Sequence, residues 1–152
     1  MARERKPQRQ PAAQAVAVPP TAADVLLASL KRHGVANLFV NPGTDFPPIV
    51  EGLARARESG AQVPRAVVAP HENLAVAMAH GYFKIEGKPL AVMAHGTVGL
   101  QHASMALYNA WCDRVPVYLV LGNTLDATLR APGVEWVHSV QDAAAMVRDY
   151  TK

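Results

Sequence analysis

The chain has a single cysteine, Cys112, which excludes an internal disulfide and fits a reducing, cytoplasmic setting. No apolar run approaches the roughly 18 residues that a bilayer span needs, so a membrane partner is not expected. Aromatic residues make up only 6% of the sequence, so Ala, Val and Leu must build the core. Charged residues are also few, at 18%, while half of the 152 residues are hydrophobic. That balance suits one domain with a real interior.

The familiar phosphate and nucleophile signatures are missing too. There is no Gly-x-Gly-x-x-Gly and no Gly-x-x-x-x-Gly-Lys-Ser/Thr, so a nicotinamide site or a P-loop lacks its phosphate cradle. There is no Gly-x-Ser-x-Gly nucleophile elbow. Six histidines are present, yet no two stand three or four residues apart, and no metal site is expected from spacing.

The positive charge is concentrated at one end. Arg3, Arg5, Lys6 and Arg9 crowd the first ten residues against one acid, Glu4, and the remainder is close to neutral. A nucleic-acid binder would carry its basic face on the folded part, so this distribution argues against that class. Residues 1–20, rich in Arg, Gln, Pro and Ala and ending in Pro19-Pro20, are expected to be a disordered basic tail. The tail has no apolar h-region, and it lacks the serines of an organelle transit peptide.

Regular structure is expected over residues 21–152. Thr21-Ala22-Ala23-Asp24 reads as a capping box with Asp in place of Glu, followed by Val25, Leu26, Ser29 and Leu30 at helical spacing and by Gly34 as a stop. Residues 35–40 are β-prone. Asn41-Pro42-Gly43-Thr44 is turn chemistry, and Asp45 is expected to cap a second helix with Pro47 and Pro48 in its first turn. The alternation continues with strands at 65–69, 89–94 and 115–121, helices at 72–86 and 99–112, a loop at 123–133 and a helix at 137–148. The strands read as continuous apolar runs, which suits a parallel sheet buried on both faces. The expected fold is therefore α/β, an open parallel sheet flanked by helices.

Three loops fall at strand C-terminal ends: Pro42-Gly43-Thr44, His71-Glu72-Asn73 and His95-Gly96-Thr97-Val98-Gly99. In a parallel sheet they share one edge, where open α/β folds bind ligands. Glu72 is the focus of that edge. A Glu in the first helical turn is favoured by the helix dipole whatever the protein does. Glycines and prolines also make turns without any function. The co-location of Glu72 and His95 is what the turn explanation leaves over.

The chain resembles the N-terminal pyrimidine-binding domain of thiamine diphosphate-dependent enzymes of the acetolactate synthase and benzoylformate decarboxylase type. The likeness is carried by Pro42-Gly43, by His71-Glu72 followed by Ala75, Ala79 and Gly81, by Asn109-Ala110-Trp111-Cys112-Asp113-Arg114-Val115-Pro116, and by Met146-Val147-Arg148-Asp149-Tyr150-Thr151-Lys152. It spans residues 21–152 and implies that whole segment to be the pyrimidine-binding domain, with a Rossmann-like fold. It makes Glu72 the catalytic glutamate that bonds the aminopyrimidine ring and favours its imino tautomer, for decarboxylation or carboligation of 2-keto acids. Pro42, Gly43, His95, Gly99 and His102 would border the cofactor. The loop departs from the Gly-Pro-Gly-Ala-Thr-Asn form of acetolactate synthases, so substrate preference does not transfer. The sequence has no Gly-Asp-Gly with a downstream Asn, the family's motif for diphosphate and metal, in practice Mg²⁺. A diphosphate-binding domain or subunit is thus the implied partner, in a homo- or hetero-oligomer, and the chain is not expected to act alone. The family's last strand and helix are also not found, which leaves a non-catalytic remnant or oligomerisation module as the alternative.

Overall fold

The computed structural model describes residues 19–123 and 140–152. Helix α1 (Ala22–Arg32) opens with the expected capping box: the Thr21 hydroxyl accepts from the Asp24 N–H at 3.3 Å, and the Asp24 carboxylate accepts from the Thr21 N–H at 2.7 Å. Ala23, Leu27 and Leu30 recur at i, i+4 and i+7 and are buried. Strand β1 (Asn37–Asn41) follows, then α2 (Pro47–Ser59), β2 (Arg65–Val68), α3 (Glu72–Glu86), β3 (Leu90–Ala94), α4 (Gly96–Cys112) and β4 (Val117–Leu121). Among the described residues no helix is long and apolar enough to cross a membrane.

The four strands form one parallel sheet in the order β2-β1-β3-β4. Val40 pairs with Val68 and Asn41 with Ala94, so the three expected loops do leave the sheet on one edge. The strand β3 is fully buried along its length. Helix α3 packs on β1 and β3, and α4 on β3 and β4. Helices α1 and α2 pack on each other, and Leu26, Phe46 and Ile49 meet Met93 and Val120 around one cavity. The sheet is thereby covered by one helix pair on each face, and the core is mainly Leu, Val and Ala, as the composition required. The pairs are also tied near their ends. Arg55 of α2 donates to Asp24 of α1 at 2.8 and 3.2 Å, and Asp113 after α4 meets Lys84 and His80 of α3, both at 2.9 Å. The Lys84 ammonium, and then His80, hold the Asp113 carboxyl below the usual carboxylate range.

Four details depart from the sequence reading. Burial on both faces holds for the inner strands and fails for the edge strands β2 and β4, where Val68 is 70% and Tyr118 55% exposed. Helix α4 begins at Gly96, three residues earlier than expected, because Gly96 adopts φ 44° and turns the chain directly into the helix. Asp45 does not cap α2; Phe46 holds that position without a side-chain cap, while the prolines occupy the first turn. Of the helix expected at 137–148, residues 140–148 carry no α-helix but short 3₁₀ turns, Ala144–Met146 and then Arg148–Tyr150. This segment is nonetheless docked: Val147 is buried in the core, and Tyr150 hydrogen-bonds Ser104 and meets Tyr108 edge-on with centroids 5.8 Å apart. Most of the expected 1–20 tail (1–18), most of the loop (124–133) and residues 137–139 lie outside the described residues.

Candidate functional site

Two carboxylate–histidine pairs stand on the C-terminal edge of the sheet. The first joins the loop after β1 to the loop after β3. Asp45 Oδ1 lies 2.6 Å from His95 Nδ1, and its Oδ2 accepts from the Gly96 N–H at 3.1 Å. The Asp45 side chain is 5% exposed. With both oxygens engaged, Asp45 fixes the imidazole and satisfies an amide in the first turn of α4. Gly43 is required here, because a Cβ at that position would collide with the His95 ring. Pro42 is exposed on the rim of the same loop.

The second pair joins α3 to α4. Glu72 is the first residue of α3, after His71, whose ring accepts from the Asn73 N–H at 3.1 Å and caps the helix. A carboxylate there is favoured by the helix dipole. Glu72 is also the one buried charged residue among those described. Its Oε2 lies 3.1 Å from His102 Nδ1, on the outer face of α4, and the His102 ring stacks on His71 with centroids 4.8 Å apart. Oε1 points to Gly99, where a Cβ would come within 3.1 Å of that oxygen and of the Ala94 backbone. Oε1 has no hydrogen-bond partner among the described residues. A buried, half-satisfied carboxylate is costly, and such groups are commonly completed by a ligand.

The residues singled out in the sequence therefore form two adjoining groups. Gly43 and His95 belong to one, and Glu72, Gly99 and His102 to the other; the first turn of α4 carries a member of each. Sequence reasoning missed Asp45, whose position after Pro-Gly-Thr also suited a helix cap. The signal that could have found it is its place on the ligand edge. The approach of His71 and His102 was equally hidden, because they come from different helices and spacing along one helix cannot reveal it.

The domain is an open parallel α/β sheet flanked by helices, and comparison with known proteins specifies its family. Residues 20–146 match the family model for the N-terminal TPP-binding domain of thiamine pyrophosphate enzymes, and the chain belongs to that family. It is 28% identical over 123 residues to benzoylformate decarboxylase of Pseudomonas aeruginosa, covering 81% of this chain and 21% of that protein. It is 30% identical over 137 residues to the chloroplastic acetolactate synthase of Arabidopsis thaliana, covering 86% and 20%. The thiamine diphosphate-dependent 4-hydroxybenzoylformate decarboxylase of Rhodococcus jostii RHA1 superposes with a TM-score of 0.70 at 26% identity, covering 87% of this chain and 23% of that one. The chain spans about a fifth of the length of the relatives it matches.

Proposed function

We propose that this domain, residues 21–152, supplies the pyrimidine side of a thiamine diphosphate site, with Glu72 as the acid that activates the cofactor. The observation that carries the reading is the buried Glu72 carboxylate with Oε1 unpartnered beside the bare backbone of Gly99. The residues fit the group. Gly43 lets the His95 ring lie against the loop after β1, Gly99 lets Glu72 Oε1 lie against the first turn of α4, and the carboxylate offers one oxygen to a ring nitrogen. Pro42, Gly43, His95, Gly99 and His102 would border the cofactor, and Glu72 would hold the proton that sets its tautomer. Thiamine diphosphate supplies the nucleophilic carbon and the electron sink that decarboxylation or carboligation of a 2-keto acid needs.

The protein's part is positioning. His102 holds Glu72 by its other oxygen, and Asp45 holds His95. Diphosphate and Mg²⁺ need a Gly-Asp-Gly and an Asn that the sequence does not carry, so a diphosphate-binding domain completes the site. A surface for another subunit is at hand on α4, where Met105, Tyr108 and Trp111 are exposed at spacings of three residues. That stripe equally suits the second reading, a non-catalytic association module.

The deciding experiment is turnover of 2-keto acids by the chain combined with a diphosphate-binding domain, wild type against Glu72→Gln. Turnover that collapses in the variant supports the cofactor role. Turnover equal to wild type would sink it, and no turnover in any combination favours the association module.

A further inference from the structure

We propose that His71, Glu72 and His102 bind one divalent transition-metal ion of the Zn²⁺ class in the cofactor-free chain. Each residue offers a ligand atom, and these atoms lie within 4.8 Å of one another. The donor set, two imidazoles and one carboxylate, is a common one for three-ligand zinc sites with a fourth position open. The site stands on this geometry and does not depend on the cofactor reading.

Three observations separate this cluster from the other acid–histidine groups. First, the Glu72 side chain is 5% exposed and has a free oxygen, so a cation would relieve a buried, under-satisfied anion. The Asp45 carboxylate has both oxygens engaged by His95 and Gly96, and the Asp113 carboxylate already has the Lys84 ammonium. Second, the distance to be closed is short. Ligand atoms around a tetrahedral zinc with bonds of about 2.1 Å stand about 3.4 Å apart. Glu72 Oε2 and His102 Nδ1 are already at 3.1 Å, and the ion would take the place of the proton they share. The widest gap of 4.8 Å must shrink by about 1.4 Å, a shift that side-chain rotation of the exposed histidines can supply. Third, the His102 side chain is 56% exposed, which leaves an entry path and room for water as the fourth ligand. Ligation by His71 Nδ1 would exchange its bond to the Asn73 N–H for a metal bond. Because the ion would occupy the Glu72 carboxylate, it and any ligand that uses this carboxylate would exclude one another.

The test uses the full chain and the metal alone. Zn²⁺ is titrated by equilibrium dialysis, and Co²⁺ is followed by its visible d–d bands. The expected result is one ion per chain, with strong four-coordinate Co²⁺ absorption. His102→Ala and Glu72→Gln should each weaken binding by at least about 10-fold, and His80→Ala should leave it unchanged. His102 is exposed enough for truncation to spare the fold, which circular dichroism would confirm. Should a variant unfold, ring-proton NMR on the wild-type chain provides the second readout, with Zn²⁺ moving the His71 and His102 signals together. The proposal is overturned by a six-coordinate, aquo-like Co²⁺ spectrum, by equal affinity in His102→Ala, or by Zn²⁺ shifts confined to other histidines.

Discussion

Asp45–His95 and Glu72–His102 use the same two functional groups on one edge of the sheet, yet they are built differently. In the first pair both partners are shielded, with side chains 5% and 18% exposed, and the acid has filled both oxygens from within the fold. In the second the acid is equally buried, but its histidine is 56% exposed and one oxygen is left over. A closed pair positions; an open pair keeps capacity for something that arrives. The difference is backbone geometry. Asp45 lies in a loop that folds over Gly96, whereas Glu72 starts a helix and meets its partner across the α3–α4 seam.

The largest break in this comparison should come from Glu72→Gln. If the open pair is the catalytic one, turnover with the diphosphate-binding domain falls by roughly 10²–10⁴-fold, the range of general acid–base catalysis. The thermal midpoint should barely change, since the amide still accepts from His102 and fits the same space. Asp45→Ala should do the reverse. It strands the Gly96 N–H and releases His95, which costs about 2 kcal/mol in a urea melt. A stable Asp45→Ala chain would mean that the closed pair is not structural. Gly99→Ala ranks next. Its Cβ would press on the Ala94 backbone and Glu72 Oε1 at 3.1 Å. About 1–2 kcal/mol of destabilisation is expected from this overpacking, read in the same melts. His102→Ala, which removes the hydrogen-bond partner of the buried Glu72 carboxylate, should cost about 1 kcal/mol in the same melts.

How far these roles could be read in advance depended on whether they are local. Helix α3 was legible to the residue, because the Glu72 start and the glycine after Glu86 are chemistry of the segment itself. The alternation of strand and helix, and with it the ligand edge, followed from apolar runs and turn residues. The start of α4 was misplaced because Gly96 and Gly99 resemble a loop; what makes them helical includes close approach to Asp45 and Glu72, which are distant in sequence. Burial of β2 was overestimated because a strand's place in the sheet order is a tertiary fact. The 3₁₀ turns near the C-terminus had the same cause: Val147 and Tyr150 dock on the domain, and docking rather than helix propensity sets their backbone.

A third acid provides the surface control. Asp24 has its carboxyl pulled from 3.8 to about 2, first by the Thr21 N–H and then by Arg55. A depressed folded-state pKa adds stability that is fully present above the unfolded value and fades as pH falls through the folded one. The midpoint difference between wild type and Asp24→Asn should therefore hold steady at neutral pH and shrink between about pH 4 and pH 2. Salt should reduce this difference, because the bridge is open to solvent. A midpoint difference that stayed constant down to pH 2 would mean that neither the Thr21 N–H nor Arg55 depresses the Asp24 carboxyl in the folded chain.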